Sequence, residues 1–301
     1  MGVTGKIVSI KRFAIYDGPG IRTTVFLKGC SLHCRWCHNP ECIALDPEIG
    51  VIAGKCVRCG ECAAVCPEQA LSHSDSGLVR LDRMRCSCCG ACIANCSYGA
   101  LEWYGRDLPE EEVAAVILED KLFYRTSGGG ATISGGEPLL QTDFCFQLLS
   151  RLKQSGIHCA IDTCGCVNWD AIAKVLPVTD LFLYDLKHID SEKHRDATGA
   201  PNELILENLR RLSKESKLVE IRMPVVPGIN DADRDIIGVG DFLAGLSNIA
   251  AVRLLPYHAA HSKFEAIGRT DTMLETAAPF PEKLEHIADL LRKCGIHQVI
   301  I

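Results

Sequence analysis

Three cysteines near the amino terminus have the spacing of an iron–sulfur site that is one ligand short. They are Cys30, Cys34 and Cys37, in the pattern C-x3-C-x2-C. Three thiolates on a four-iron cubane leave one iron without a protein ligand, and an open position on a metal is where a substrate can bind. Cys42 lies five residues beyond Cys37 and is an alternative fourth ligand; a free thiol is the simpler interpretation. The spacing therefore predicts a cluster that can bind a small molecule.

A second group of cysteines forms two tandem copies of a ferredoxin motif. In C-x2-C-x2-C-x3-C runs, the fourth cysteine of each run ligates the 4Fe-4S cluster of the other run. We therefore assign one cluster to Cys56, Cys59, Cys62 and Cys96, and the other to Cys86, Cys89, Cys92 and Cys66. Cys88 is an alternative ligand to Cys86, but Cys86 preserves the spacing of the repeat. Zinc prefers two separated C-x2-C pairs and does not require eight cysteines in this arrangement.

Cysteine usage and charge limit the class of protein. The chain has 18 cysteines in 301 residues, and its first residues lack the apolar segment and cleavage site of an export signal, so metal sites are favoured over disulfides. The net charge of -6 gives no general reason to bind nucleic acid or anionic membrane. No stretch approaches the roughly 18 apolar residues of a spanning helix. We expect a cytoplasmic monomer that binds neither nucleic acid nor membrane.

Alternating strands and helices are predicted on either side of a cysteine-rich segment. Residues 21–27 are β-branched and apolar, which predicts a buried strand that ends just before the first cysteine. Further strands are predicted at 131–134, 158–162, 181–186, 218–223 and 252–255, with helices at 110–122, 139–154, 170–176, 202–214 and 231–246, and a last helix and strand within 281–301. Repeated βα units imply a parallel sheet, and six strands suit a partial barrel or an open sheet. The domains are then 1–45 with 103–301, and an insertion at 46–102.

Side chains that could bind a ligand follow the predicted strand ends, where active sites of parallel α/β folds form. Two glycines let the backbone approach a ligand closely, and a carboxylate accepts from an ammonium group. A tight turn and strand-end salt bridges are the alternative interpretations. The glycines at 128–130 are interpreted as a flexible connection. The candidates are Gly135, Gly136, Glu137, Asp162, Thr163, Asp185, Lys187, Arg222 and His258.

Together, these motifs resemble those of a known superfamily. The pattern at Cys30, Cys34 and Cys37 is similar to the signature of radical S-adenosylmethionine enzymes. Within that superfamily, DGPGIR at 17–22, GCSLHCRWCHNPE at 29–41 and the paired ferredoxin motifs resemble the activating enzymes of glycyl radical enzymes. The resemblance covers nearly the whole chain.

The resemblance implies a fold, a reaction and partners. The fold is a partial (βα)6 barrel with an inserted ferredoxin-like domain, and the cofactors are three 4Fe-4S clusters, one of them with an open iron. S-adenosylmethionine binds that iron, and one electron cleaves it to methionine and a 5′-deoxyadenosyl radical. The radical removes hydrogen from a glycine of a partner glycyl radical enzyme. An anaerobic oxidoreductase of this kind takes its electron from a donor such as flavodoxin or ferredoxin.

The resemblance also implies roles for the strand-end residues. Glu137 and the two glycines before it meet the amino group of the methionine moiety. Asp162 and Thr163 lie near a monovalent cation and the ligand carboxylate. Asp185 is an acceptor near the cation or near the ribose. Lys187 is a cationic partner for the ligand carboxylate or for the ribose.

Four further residues have implied roles outside these motifs. Arg222 lies near the carboxylate of S-adenosylmethionine, His258 near the adenosine, and Trp36 against the adenine or over the irons. Asp17 contacts the glycine-bearing loop of the partner, although turn chemistry explains Asp-Gly-Pro-Gly equally well. Two rival functions are a radical S-adenosylmethionine enzyme acting on a small molecule, and a pure electron carrier, which has no use for an open iron.

Overall fold

A computed structural model describes residues 2–74, 77 and 79–301. Residues 1, 75, 76 and 78 of the predicted domains lie outside the described residues. The strands are β1 Thr4–Ala14, β2 Arg22–Leu27, β3 Glu48–Val51, β4 Leu71–His73, β5 Val79–Leu81, β6 Leu101–Tyr104, β7 Arg106–Pro109, β8 Gly130–Gly135, β9 His158–Thr163, β10 Leu181–Asp185, β11 Leu218–Val225, β12 Ile249–Pro256 and β13 Val299–Ile300.

The helices lie mostly between the strands of the second half of the chain. They are α1 Glu61–Ala64, α2 Ala91–Ala94, α3 Glu110–Leu118, α4 Lys121–Ser127, α5 Thr142–Gln154, α6 Trp169–Val175, α7 Ser191–Thr198, α8 Glu203–Leu212, α9 Asp233–Ala244, α10 His261–Ala266 and α11 Pro281–Lys293. Short 3-10 turns occupy Pro40–Cys42, Ala53–Lys55, Pro138–Gln141 and Leu176–Val178. Within the described ranges, no helix is both long enough and apolar enough to cross a membrane.

The main sheet has nine strands in the order β13-β12-β11-β10-β9-β8-β2-β1-β7. From β2 to β13 all neighbours are parallel, whereas β1 is antiparallel to both β2 and β7. In the part of the chain that the structure describes, the two outer strands, β13 and β7, do not pair with each other. The predicted α/β class, with a parallel sheet that contains the six predicted strands, is confirmed.

The two faces of this sheet carry different side chains, because successive residues of a strand point to opposite faces. On one face, a buried cluster joins helices α3, α5, α6, α8, α9 and α11 to alternate strand residues such as Val25, Ile133 and Ile161. Many of the positions between them are polar or charged, and we call their side the polar face, although Ala160, Leu181 and Leu183 form a small apolar cluster there. The polar face carries Arg22, Thr24, Thr132, Ser134, Asp162, Asp185, Glu220, Arg222 and Arg253.

Outside the cysteine-rich segment between β2 and β7, two strands and two helices of the described residues were not predicted. Strand β1 is largely exposed and carries charged residues, so it lacks a buried apolar pattern, and β7 is a four-residue edge strand. Helix α7 has the sequence SEKHRDAT, which contains almost no apolar side chains. Helix α10 is only six residues long. Weak apolar periodicity explains all four omissions.

The prediction of one helix at 110–122 is wrong, because α3 ends at Leu118 and α4 begins at Lys121. Asp120, between them, is fully buried. Its carboxylate accepts hydrogen bonds from Nε of Arg12 at 2.9 Å and from Oγ1 of Thr23 at 2.7 Å. A buried carboxylate needs such partners, so the chain turns here to bring Asp120 inside.

The segment between β2 and β7 forms two smaller sheets, β3 with β6 and β4 with β5, both antiparallel. Helices α1 and α2 each follow a glycine of positive φ, Gly60 at 84° and Gly90 at 78°. The two cysteine runs therefore fold alike. The domain boundaries proposed from sequence, at 46 and 102, stay a prediction.

The two neighbouring carboxylates that meet Arg12 give a test of this arrangement. Asp120→Asn leaves the buried site without its charge, so we expect a loss of about 1–3 kcal/mol in the free energy of unfolding. Glu119→Gln is the matched control, because Glu119 pairs with the same guanidinium at 2.8 Å but is exposed; we expect a change of about 0.5 kcal/mol or less. Denaturant titration of both variants measures the difference, and equal losses would contradict the buried pairing.

Candidate active site

The loop after β2 carries the three cysteines across the carboxyl ends of the parallel strands. The amide of Cys30 donates to the carbonyl of Ile43 at 2.9 Å, and the amide of Cys37 donates to the carbonyl of Cys34 at 3.1 Å. Burial raises the pKa of Cys34 to about 12 and that of Cys37 to about 11. These partly buried thiols are poorly solvated, so a bound metal would stabilise their thiolates.

The carboxyl end of helix α7 is hydrogen-bonded to this loop. The amide of His33 donates to the carbonyl of Thr198 at 2.7 Å, and the amide of Arg35 donates to the carbonyl of Ala197 at 3.0 Å. Trp36 is buried, and it packs with Ala197 and with apolar residues that include Val226, Tyr257, Phe264 and Met273. Partly buried Cys34 and Cys37 lie against the same cluster, so Trp36 anchors the loop beside two of its cysteines.

The two predicted glycines bind the end of β8 to the cysteine loop. The amide of Gly136 donates to the carbonyl of Leu27 at 3.0 Å, and the amide of Glu137 donates to the carbonyl of Gly29 at 2.7 Å. A Cβ on Gly135, which has a φ of 120°, would lie 2.2 Å from the carbonyl oxygen of Leu27. A Cβ on Gly136 would lie equally close to the carbonyl oxygen of Gly29. Only glycine permits this contact between two main chains.

The Glu137 side chain faces the protein interior and is fully buried. Its carboxylate accepts from Oγ1 of Thr163 at 2.8 Å, from the amide of Cys164 at 2.9 Å and from the amide of Leu139 at 3.0 Å. Burial raises its pKa despite these bonds. Glu137 and Thr163 thus join the ends of β8 and β9 from within. Their contacts to a ligand stay a prediction.

Cys164 is a neighbour of the three cysteines that the spacing did not reveal. It is buried, and its Sγ lies 3.9 Å from Oγ of Ser31. A hydrogen bond with Cys164 is the main cause that lowers the pKa of Cys30. The only signal in the sequence is that Cys164 follows Asp162 and Thr163 directly at a strand end.

The structure brings Asp162, Asp185, Lys187 and Arg222 together on the polar face. Asp162 accepts from Oγ of Ser134 at 2.7 Å and lies 3.5 Å from Nη1 of Arg222. Burial raises its pKa to about 6, against the opposing effect of Arg222. Nζ of Lys187 donates to Asp185 at 2.6 Å. Although burial opposes it, the Asp185 carboxylate keeps the pKa of Lys187 above its ordinary value. These four groups offer both signs of charge to a zwitterionic ligand.

Arg222, which belongs to this group of charges, has a buried donor that lacks a partner among the described residues. Its guanidinium donates to the carbonyl of Tyr16, yet within the described part of the chain its buried Nε has no hydrogen-bond partner. A buried donor without a partner is costly, and a ligand acceptor would satisfy it. Asp17, next to Tyr16, accepts from Oγ1 of Thr24 at 2.8 Å. The predicted partner-contact residue is therefore adjacent to the polar face.

His258 lies apart from the polar face. It is exposed after β12, and its ring stacks on that of His38 with 3.9 Å between the centroids. Nε2 of His38 also lies 2.7 Å from the carbonyl oxygen of His258. The cysteine loop, which starts at β2, therefore reaches the far end of the parallel strands at β12. The contact of His258 with an adenosine stays a prediction.

The ferredoxin-type cysteines surround two cavities. The first cavity measures about 380 Å³ with the space open to solvent, and its lining includes Cys56, Cys59, Cys62 and Cys96. The second measures about 290 Å³, and its lining includes Cys66, Cys86, Cys88, Cys89 and Cys92. Each cavity contains the four cysteines that the interleaved ferredoxin pattern assigns to one cluster. The cysteines that line each cavity thus fit one cuboidal four-iron cluster.

The backbone around the fourth cysteine of each run repeats in both copies. The amide of Ala70 donates to Sγ of Cys66 at 3.3 Å, and the amide of Ala100 donates to Sγ of Cys96 at 3.4 Å. Such bonds stabilise ligating thiolates. Cys88 has a φ of 53° and occupies the position that Arg58, with a φ of 65°, holds in the first copy. Its Sγ donates to the carbonyl of Pro47 at 3.3 Å, which favours Cys86 as the ligand.

Comparisons with known proteins agree with this geometry. The sequence profile of the radical SAM superfamily matches residues 83–239, and that of a 4Fe-4S dicluster domain matches residues 55–100. The isethionate sulfite-lyase activating enzyme of Nitratidesulfovibrio vulgaris is 40% identical over 85% of this chain and 84% of its own. The choline trimethylamine-lyase activating enzyme of Oleidesulfovibrio alaskensis is 39% identical over 95% of this chain and 94% of its own.

A solved structure is similar as well. A domain of a pyruvate-formate lyase-activating enzyme from Bacteroides vulgatus is 34% identical, with a TM-score of 0.50, and covers 57% of this chain and 98% of that domain. The relatives match nearly the full chain, and the superfamily profile matches more than half of it. The chain therefore belongs to the radical SAM superfamily and, within it, to the activating enzymes of glycyl radical enzymes.

Proposed function

We propose that this activating enzyme cleaves S-adenosylmethionine at the loop of Cys30, Cys34 and Cys37 and installs a glycyl radical in a partner protein. The observation that carries the proposal is the position of this loop. Its main chain is hydrogen-bonded to the end of β8, and the loop crosses the strand ends beside the paired charges of the polar face. Cys30, Cys34 and Cys37 would hold a cluster, which when bound would supply one electron to the sulfonium and a binding position for the amino and carboxylate groups of S-adenosylmethionine.

The polar face would hold the ligand by charge. The free Nε of Arg222 suits a carboxylate, since a planar guanidinium binds such groups in a fixed geometry. Asp162 and Asp185 suit a cation or the ribose hydroxyls, and Lys187, already paired with Asp185, adds a second positive charge. The strand ends that carry these groups would be fixed by Gly135, Gly136, Glu137 and Thr163. The cysteine loop is also bordered by Trp36 and His258.

We further propose that the insertion holds two 4Fe-4S clusters in its two cavities, giving three clusters in the chain. The repeated amide-to-sulfur bonds and the cavity linings support this count. The reductant is a flavodoxin or ferredoxin, and the protein acts in the cytoplasm, where so many thiols remain reduced. Asp17 faces the glycine-bearing loop of the partner, and the working unit is a monomer.

The three-cysteine loop can be tested with a matched pair of cysteine variants. Anaerobically reconstituted, reduced protein should form 5′-deoxyadenosine from S-adenosylmethionine. Cys34→Ala should abolish that product, because two thiolates cannot retain the cluster. Cys294→Ala should preserve it, because Cys294 lies after α11 at the end of the chain. Chromatography of the products measures both, and activity in Cys34→Ala would refute the site.

The cluster count predicts the iron content. Three four-iron clusters require about twelve irons per chain. A colorimetric iron and sulfide assay on reconstituted protein measures the ratio, and a value near four would contradict the assignment of the insertion.

Arg222 can be compared with a neighbouring arginine of the same face. Arg222→Lys removes the planar fork and should weaken the binding of S-adenosylmethionine about 10–100-fold. Arg253→Lys is the control, since Arg253 on β12 already pairs with Glu220 at 2.7 Å. Equilibrium dialysis under anaerobic conditions measures both dissociation constants. Equal effects would argue against Arg222 as the carboxylate partner.

A further inference from the structure

One buried carboxylate joins the insertion to the cysteine loop. Glu48, the first residue of β3, is 4% exposed. Its Oε2 accepts from Nζ of Lys28 at 2.6 Å, and the Lys28 side chain is fully buried. Lys28 directly precedes Gly29 and lies two residues before Cys30. The insertion therefore contacts the chain where the three-cysteine loop begins.

Two more cations meet the same carboxylate. Oε1 of Glu48 accepts from Nη2 of Arg269 at 2.7 Å, and Nε of Arg83 lies 3.7 Å away. Nε of Arg83 also donates to the carbonyl of Ile267 at 3.0 Å. We call Lys28, Glu48, Arg83 and Arg269 the Glu48 cluster. Lys28 directly follows β2, Glu48 and Arg83 belong to the insertion, and Arg269 lies in the segment after β12. Removal of one partner from a largely buried charge set leaves the others uncompensated and is destabilising.

The β3–β6 ribbon shows which cavity is nearer to the loop. On β3, Glu48 contacts Lys28, Ile49 lines the second cavity, and Val51 lines the first. Each residue advances a strand by about 3.3 Å. Along the ribbon, the second cavity thus lies between the cysteine loop and the first cavity.

Contacts of strand β6, which pairs with β3, give the same order. After its last residue, the amide of Gly105 donates to the carbonyl of Ile7 at 3.1 Å, and a Cβ on Gly105 would lie 2.3 Å from Lys28. Trp103 packs on Gly90, next to Cys89 of the second cavity. Leu101, at the other end of β6, lines the first cavity.

Two residues that line the second cavity make further contacts close to the Glu48 cluster. Cys88, in its lining, donates to the carbonyl of Pro47, the residue before Glu48. Leu81, also in its lining, packs so closely on Gly268 that a Cβ there would meet the Leu81 carbonyl oxygen at 2.2 Å. Gly268 adjoins Arg269 of the Glu48 cluster.

We propose that the Glu48 cluster is a positioning device that holds the second cavity beside the three-cysteine loop and the first cavity on the far side. Occupancy of the cavities rests on the proposed function; the order of the cavities and the role of Glu48 do not. The order determines which of the two ferredoxin-type sites, when occupied by a cluster, would lie at the shorter distance for electron transfer to a cluster on the three-cysteine loop.

Hydrogen exchange tests the positioning without reference to activity. In Glu48→Gln of the full reconstituted chain, we expect exchange about tenfold faster than in wild type at the amides of β3 and of Gly29 and Cys30. Glu112→Gln, an exposed glutamate on α3 with the same change of charge, should leave these amides unchanged. Unchanged exchange at β3 in Glu48→Gln would overturn the role of Glu48.

Electron paramagnetic resonance tests the order. The signal that shifts on addition of S-adenosylmethionine reports the three-cysteine site, and its relaxation is enhanced most by the nearest reduced cluster. Cys89→Ala, in the second cavity, should slow that relaxation more than Cys59→Ala, in the first. Glu48→Gln should weaken the coupling while the iron content stays unchanged.

The outcomes separate the two proposals. A larger effect of Cys59→Ala than of Cys89→Ala would overturn the order, even with full S-adenosylmethionine cleavage. Absence of any signal that responds to S-adenosylmethionine in the wild type would instead refute the proposed function, and the hydrogen-exchange result would still decide the role of Glu48.

Discussion

The site depends on the main-chain contact between the end of β8 and the start of the cysteine loop. Gly136 and Glu137 donate their amides to the carbonyls of Leu27 and Gly29, and no side chain larger than hydrogen fits at the two glycines. The buried Glu137 carboxylate also accepts a hydrogen bond from Thr163 of β9. Protein contacts alone thus lock three neighbouring strand ends together, so that the three cysteines are held over the polar face.

The division of the sheet into two faces explains how a stable core and a charged site coexist. The helices bury the apolar side chains of one face, and this burial supplies most of the stabilising free energy. The polar face carries Asp162, Asp185, Lys187 and Arg222, which are paired with each other. A charge that is paired and partly buried costs less than an isolated one. Among the described residues of this face, the buried Nε of Arg222 lacks a hydrogen-bond partner, and the proposed ligand would supply one.

Much of the fold could be predicted because its signals are local. The six central strands are short apolar or β-branched runs that end in glycine or polar residues, and the ferredoxin spacing pairs cysteines as the two cavities do. Strand β1 and helix α7 could not be found, because neither has an apolar face of its own. The glycines at 128–130 were wrongly interpreted as flexible: Gly129 packs on Ile21, and Gly130 begins β8. Contacts between distant segments, such as Lys28 with Glu48, leave no periodic pattern.

Relatives of nearly equal identity are named for different lyases, so overall similarity does not select the partner. The most direct test of the central claim is to mix the reduced, reconstituted protein with S-adenosylmethionine and a glycyl radical enzyme from the same genome. Electron paramagnetic resonance should then show a doublet that collapses to a singlet when the partner is made with glycine deuterated at Cα, with deuterium recovered in 5′-deoxyadenosine. Cleavage of S-adenosylmethionine without a doublet, in the presence of every candidate partner of that genome, would contradict the account.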